Sequence, residues 1–226
     1  MALDHKVLWR DVENIAALAF EWRKFEGHYN SPSFDIVHFL ECTLPNRIIG
    51  KAIEIIPTET IENDLPALVS FKRERKYGYQ RAELLLKPWI VDEAKLYGEK
   101  ARFIIAHEIG HLILHDCDSQ PFSPGMDKKL RFLQNEESAE WQANQFADQF
   151  LVPRHIASSF TDPSELAQYC HVDLECAKRR IEEIRAIALK NKNYSGNSCA
   201  QCGDFRLKSF GSSHFCENCG SHCTYI

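Results

Sequence analysis

Between residues 7 and 25 the apolar positions Leu8, Val12, Ile15, Ala16, Ala19 and Trp22 recur at near-helical spacing, which predicts an amphipathic helix. Ser31-Pro32-Ser33 interrupts the pattern, a shorter helix is expected over 34–42, and Pro45-Asn46 marks the next turn. The texture then shortens. Strand-like runs at 48–56, 67–73 and 82–87, punctuated by Pro57, Pro66, Gly78 and Pro88, predict a small antiparallel sheet. Helical spacing returns over 99–115 through Phe103, Ala106, Ile109, Gly110, Ile113 and Leu114. After a polar loop holding Pro121, Pro124 and Gly125, a second strong helix is expected over 136–151, stopping before Pro153. Asp162-Pro163-Ser164 reads as an N-cap with proline in the first turn, opening a helix to Cys170, and another helix is expected over 174–190. The stretch 191–198 is polar and reads as a linker.

Length bounds what these elements can build. With 226 residues the chain has room for one ordinary domain and a small appendage, or for two small domains, each able to bury a core. An apolar fraction of 44% and a charged fraction of 26% set aside a mostly disordered chain, a collagen and a disulfide-stapled miniature. No apolar run approaches the roughly 18 residues that a membrane span requires. Met1-Ala2-Leu3-Asp4-His5-Lys6 lacks the basic flank and apolar stretch of a secretory signal, so a cytoplasmic location without a membrane partner is expected. A net charge of −5 gives no overall basic footprint for nucleic acid.

The helix expected over 99–115 carries His107-Glu108-Ile109-Gly110-His111, an H-E-x-x-H pattern. Positions i and i+4 lie one turn apart on one face, so both imidazoles can reach a single zinc ion. Glu108, beside the first ligand, is placed to take a proton from a water made acidic by the metal. Two histidines leave such a site incomplete, and the third ligand is expected from a helix packed alongside. Glu140 is the leading candidate, in a stripe with Ala143, Asn144 and Ala147; Glu136 and Glu137, one turn earlier, are its rivals. A His₂Glu set with an open fourth position is a catalytic arrangement, whereas the plain alternative makes His107 and His111 ordinary half-buried side chains. His115, two turns from His107, points away from the ligand stripe and reads as structural. Asn144 either orients a ligand histidine through a hydrogen bond or lines a helix seam.

The run Phe103-Ile104-Ile105-Ala106-His107-Glu108-Ile109-Gly110-His111-Leu112-Ile113-Leu114-His115 resembles the ImmA/IrrE family of metallopeptidases. So does Glu140-Trp141-Gln142-Ala143-Asn144-Gln145-Phe146-Ala147, ending in Leu151-Val152-Pro153. The resemblance covers 99–153 and extends more weakly to 187, because family members often carry a helix-turn-helix-like segment after the peptidase core. It implies a zincin-like core in which His107, His111 and Glu140 hold a catalytic zinc and Glu108 is the general base. It also implies a substrate: a transcriptional repressor of the helix-turn-helix type, in prophage, mobile-element, DNA-damage or anti-phage defence regulation.

Five of the nine cysteines fall in the last 28 residues. Cys199-x₂-Cys202, thirteen residues, then Cys216-x₂-Cys219 is the spacing of two metal knuckles, each followed by a glycine where the chain turns back. Four thiolates close a tetrahedral zinc, so this second zinc is structural and the tail resembles a zinc ribbon, with Cys223, His214 and His222 as minor alternative ligands. Its aromatics Phe205, Phe210 and Phe215 read as a small core, or as stacking platforms for single-stranded bases.

Weaker signals remain. Residues 71–81 interleave Lys72, Arg73, Arg75, Lys76 and Arg81 with aromatics, which suits either a solvated strand end or a single-stranded DNA contact that activates the enzyme. Residues 164–181 have a helix-turn-helix look in which Lys178, Arg179 and Arg180 suit phosphates, with packing as the plainer role. Cys42, Cys117, Cys170 and Cys176 read as small hydrophobes, or one of them as a thiolate silencing the open zinc position. Tyr169, Tyr194, His155 and His171 are candidates for stabilising the oxyanion. The expected architecture is therefore α+β: a zincin-like core at 1–153 with helices on a small antiparallel sheet, a helical extension at 154–190, a linker at 191–198, and a Cys₄ zinc ribbon at 199–226. The expected activity is a zinc endopeptidase. The alternative is a non-catalytic zinc-containing regulator that binds a repressor or nucleic acid.

Overall fold

The computed structural model describes residues 5–27, 29–32, 34–61, 64–73, 80–116, 120–121, 134–190, 197, 199–202, 207–210 and 213–224. Contacts divide the chain into two units, Met1–Leu151 and Val152–Ile226. Among the described residues no helix is long and apolar enough to cross a membrane.

In the first unit the chain opens as a short strand, β1 (His5–Lys6), and enters α1 (Val12–Arg23) five residues later than the apolar pattern predicts. Asp11 takes the N-cap, its carboxylate accepting from the Asn14 N–H at 2.7 Å. Ahead of the cap the backbone stays extended because it finds long-range partners. β1 pairs antiparallel with β5 (Gln120–Pro121), and the Val7 and Arg10 N–H groups donate to the Glu137 and Glu136 carbonyls at 2.9 and 3.0 Å.

Asp35 caps the next helical stretch, which runs from α2 (Ile36–His38) through a π-helical turn at Phe39–Thr43 into α3 (Leu44–Arg47). The turn expected at Pro45 is thus helical. Proline has no N–H and its ring crowds the carbonyl one turn back; the widened turn, with the Leu44 N–H closing on the Phe39 carbonyl, accommodates both.

β2 (Lys51–Pro57), β3 (Ala67–Arg73) and β4 (Gln80–Leu86) form a three-stranded sheet in the order β2-β4-β3. The sheet is mixed, which corrects the antiparallel expectation. β3 and β4 are antiparallel, but β2 runs parallel to β4, with Lys51 opposite Gln80. Alternation of apolar positions reports which face a side chain takes, not strand direction. Each short connection reverses the chain, so after two reversals β4 runs as β2 does. With Ala82, Leu84 and Leu86 buried, it takes the central place between the other two. α4 (Pro88–Lys95) follows at once, with Pro88 as its first residue rather than as a break.

α5 (Glu99–Leu114) and α6 (Ala139–Leu151) pack against each other, α1 packs on α6, and α4 and β3 pack on α5. The helix expected from 136 starts at 139, because Asn135–Glu137 is a 3-10 turn and the Ser138 hydroxyl accepts from the Trp141 N–H at 3.0 Å. The core behind the seam is aromatic: Phe150 meets Phe34, Phe39 and Phe146 with ring centroids 4.9 to 5.2 Å apart. Arg23, fully buried over the Phe34 ring at 4.3 Å, donates to the carbonyls of Phe150, Tyr29 and Ser31, so the C-terminus of α6 is held from within.

The second unit contains α7 (Arg154–Ala157), α8 (Pro163–Cys170) and α9 (Leu174–Lys190). Asp162 caps α8 by accepting from the Ser164 N–H at 2.8 Å, and His171, in the left-handed region at φ 53°, closes it. Further along lies an antiparallel sheet of β6 (Leu207–Phe210), β7 (Ser213–Cys216) and β8 (His222–Thr224). Most of the linker expected at 191–198 lies outside the described residues.

Candidate metal centres

α5 is buried along most of its length, so it carries His107, Glu108 and His111 on a rigid element. Gly110 sets how close α6 can come: a Cβ there would stand 3.2 Å from the Cα and carbonyl oxygen of Ala143 and from the Phe146 Cβ. This tight seam brings Glu140, in the first turn of α6, over the two histidines. His107 Nε2 and His111 Nε2 are 3.0 Å apart, and the Glu140 carboxylate oxygens lie 3.4 Å from the first and 3.5 Å from the second. A tetrahedral zinc with bonds of about 2.0–2.1 Å has ligand-to-ligand edges of about 3.3 Å, and one ligand atom from each of the three side chains lies within 4.8 Å of the others, close enough to share an ion. All three side chains stay partly exposed, which leaves a side open. Glu136 and Glu137 lie in the preceding 3-10 turn, and among the described residues neither they nor any cysteine joins this group.

Both imidazoles are aimed by their other nitrogen. Asn144 Oδ1 stands 2.9 Å from His107 Nδ1, and His115 Nδ1 stands 3.0 Å from His111 Nδ1, so each Nε2 is turned toward the shared centre. His115 does not point away as its spacing suggests. α5 ends at Leu114, the backbone at His115 is extended, and the buried ring folds back onto His111. Burial, reinforced by the neighbouring His111, brings its pKa down to about 3, which keeps the ring neutral. The i+4 spacing from His111 was the available signal.

Glu108 is buried, and desolvation pushes its carboxyl above the usual glutamate range despite His111, His107 and a hydrogen bond from the Val69 N–H of β3. Burial acts the same way on Glu140, but hydrogen bonds to both histidines outweigh it and hold that carboxylate well below its ordinary value. For His107, burial opposes the charged form, yet Glu140, Glu108 and Asn144 together raise its pKa. The two carboxylates are thus driven apart: Glu140 stays an anion, while Glu108 holds a proton more readily than an ordinary glutamate.

The other cluster is made of Cys199, Cys202, Cys216 and Cys219. The Cys199–Cys219 and Cys202–Cys216 sulfur pairs are each 3.6 Å apart, against an edge of about 3.8 Å for zinc bound by four thiolates at 2.3 Å. Gly220, at φ +73°, forms the knuckle turn and donates its N–H to the Cys216 carbonyl at 2.9 Å. Burial opposes ionisation of Cys199, but the Ser221 hydroxyl and the N–H groups of Cys202 and Gln201 hold its pKa down at about 6, whereas burial pushes Cys216 up. Four thiols this close suit a cation that takes them as thiolates, which fits a closed metal site. Cys216 and Cys199 pack with Leu207 in a small core.

Other expectations meet their surroundings. Lys72 pairs with Glu83, and Arg81 with Glu54 and Glu83; the rest of the basic run, 74–79, lies outside the described residues. Arg180 is buried, donates to the Val152 carbonyl at 2.9 Å and pairs with Glu183, and Lys178 pairs with Glu175, so these two are engaged within their own unit. Cys170 and Cys176 are buried, Cys42 is exposed, and Cys117 and Tyr194 lie outside the described residues. Tyr169 packs its ring on Phe160.

Residues 69–182, half of the chain, match the family model described as the IrrE N-terminal-like domain. The match runs from within β3, through both helices of the His₂Glu centre, to about the middle of α9. No curated protein matches the chain.

Proposed function

The chain belongs to the IrrE N-terminal-like peptidase family, a family of metallopeptidases, and from that premise we propose that it is a zinc-dependent endopeptidase cleaving a helix-turn-helix repressor. The observation that carries the reading is the convergence of His107, His111 and Glu140 on one point, with Glu108 next to them and the sheet edge behind it. Zinc at that point would supply a Lewis acid for the scissile carbonyl and lower the pKa of the attacking water toward about 7.

The chain's own residues do the rest. Glu140 remains ionised and contributes the negative charge that balances the cation. Asn144 and His115 keep the imidazoles facing it. Glu108 accepts the proton of the attacking water and returns it to the departing amine; burial, which raises its pKa, makes it a stronger base for the first transfer. β3 is an edge strand of its sheet, and its Val69 N–H reaches Glu108, so an extended peptide pairing along β3 would pass in front of the base.

The repressor substrate, relief of repression in stress, prophage or anti-phage defence, and activation by single-stranded DNA follow from the family resemblance and the basic run. The proposed organisation is a peptidase core at 1–153, a helical extension at 154–190, a linker at 191–198, and a ribbon at 199–226 whose Cys₄ zinc is structural. The enzyme would work in the cytoplasm.

Zinc-loaded protein incubated with a helix-turn-helix repressor encoded beside it, with and without single-stranded DNA, tests this by mass spectrometry of fragments. A discrete cut lost in Glu108→Gln supports the reading, and dependence on DNA identifies the trigger. A stable complex with no cut, equal in both proteins, would replace it with the non-catalytic binding role.

A further inference from the structure

The hydrogen bonds behind His111 do not stop at His115. His115 Nε2 stands 3.3 Å from Gln142 Oε1, and Gln142 Nε2 donates to two backbone carbonyls, Leu8 and Glu136, each at 2.7 Å. Gln142 is fully buried and His115 nearly so.

The direction of this chain is fixed by its far end. A carboxamide has two N–H donors on one nitrogen, and two carbonyls consume both. The Gln142 oxygen must therefore face His115, whose Nε2 carries the hydrogen. A neutral imidazole has only one N–H, so His115 Nδ1 is a lone pair and His111 Nδ1 donates to it. His111 Nε2 is then left as a lone pair aimed at the point shared with His107 and Glu140. Two backbone carbonyls, one of them in the N-terminal segment, thereby select the ligating tautomer of His111.

We propose that His115 and Gln142 are positioning residues that couple the N-terminal segment to the metal centre. When residues 7–10 are docked, through Val7 and Arg10 to Glu137 and Glu136 and through Leu8 to Gln142, His111 is held ready for the ion. When that segment lifts, Gln142 loses one of its two fixed partners and its amide is free to rotate, which breaks the relay. Glu136 and Glu137, to which the segment is bonded, lie just ahead of α6, so one strap secures both the start of the Glu140 helix and the orientation of His111. The inference rests on the zinc-site reading, and linkage gives it a two-way signature: docking tightens the metal, and the metal tightens docking.

The test uses the full chain and two readouts other than activity. Cobalt(II) is titrated against a chelator. Its strong thiolate charge-transfer band and the intense visible bands that accompany it follow the Cys₄ cluster, and the weaker visible absorption left after subtracting that spectrum follows the His₂Glu centre. Hydrogen exchange follows the Val7 and Arg10 amides in parallel. In the wild type, metal should slow exchange at both amides. Gln142→Met should weaken metal at the His₂Glu centre by about 10–100-fold, leave the thiolate band unchanged, and abolish the metal-dependent protection of Val7 and Arg10. His115→Phe should weaken metal similarly, and His115→Gln, whose oxygen can still accept from His111, should recover part of the loss. An intact thiolate band and melting transition keep misfolding apart from lost positioning. Unchanged metal affinity in Gln142→Met, or wild-type amides whose exchange ignores the metal, overturns the coupling. A wild type that takes up cobalt only on thiolates overturns the His₂Glu reading itself, and the coupling with it.

Discussion

Replacing Gly110 with alanine adds one methyl group to the seam between α5 and α6, and the structure gives its cost. The new Cβ would sit 3.2 Å from the Ala143 Cα, the Ala143 carbonyl oxygen and the Phe146 Cβ, a few tenths of an ångström inside ordinary contact. Two of these three atoms are backbone and the third is the base of a buried phenylalanine, so no side chain can swing aside. Alanine gains about 1 kcal/mol of helix propensity over glycine, and overpacking a filled core costs about 1–3 kcal/mol. The net is a destabilisation of up to about 2 kcal/mol, which lowers Tm by at most roughly 4–8 °C for a chain of this size. The seam must open to relieve the contact, and opening it carries Glu140 away from His107 and His111. Those distances are already 3.4 and 3.5 Å, so further separation strains the ligand set and zinc affinity should fall by about tenfold. Thermal melting in chelator reads the first effect, and zinc competition against a chromophoric chelator reads the second. A variant that melts higher, as an unhindered glycine-to-alanine change in a helix does, and binds zinc equally well would refute the seam argument.

Other consequences are as direct. Glu108 has a folded pKa above its unfolded value, so the stability it contributes is full below the unfolded pKa and lost as pH rises through the folded one. Glu108→Gln, measured in chelator, should therefore melt with the wild type near pH 4 and increasingly above it toward neutrality; a gap that shrinks with rising pH would contradict the burial argument. Lys51 of β2 donates to the Leu112 carbonyl at 2.8 Å and to the His115 carbonyl, tying the sheet to the C-terminus of α5. Lys51→Met should cost about 1–3 kcal/mol in denaturant unfolding, with faster hydrogen exchange at the end of that helix. Cys216→Ser should remove the metal bound by the thiol cluster and the exchange protection of strands β6, β7 and β8, since the small core there includes that sulfur.

The chemistry-bearing parts of this chain were readable because they are local or periodic. His107 and His111 are one helical turn apart, Glu140 lies on a stripe with Ala143 and Asn144, and the four thiols come as two pairs with knuckle spacing; the structure brings each set together. The helices at Pro163–Cys170 and Leu174–Lys190 were equally clear from a capping aspartate and an apolar period. What escaped depends on partners far along the chain. Residues 7–11 carry helix-like spacing but stay ahead of the helix, tied through Val7 and Arg10 to Glu137 and Glu136. The direction of β2 depends on where β4 inserts. Pro88 opens a helix where it could equally have broken one, and Pro45 is tolerated by a π-helical turn that no simple spacing signals. The role of His115 depends on the backbone leaving the helix at that very residue, which turns its ring back onto His111.

The most direct test is whether this chain hydrolyses a peptide bond with Glu108 as the base. Zinc-loaded wild type and Glu108→Gln, each incubated with a peptide library with and without chelator, can be followed by mass spectrometry for new termini. Discrete cuts that appear only with the wild-type chain, and vanish when the chelator removes zinc, are the predicted result. Cuts that persist in Glu108→Gln, or none at all from a wild type shown to hold zinc at His107, His111 and Glu140, would contradict it.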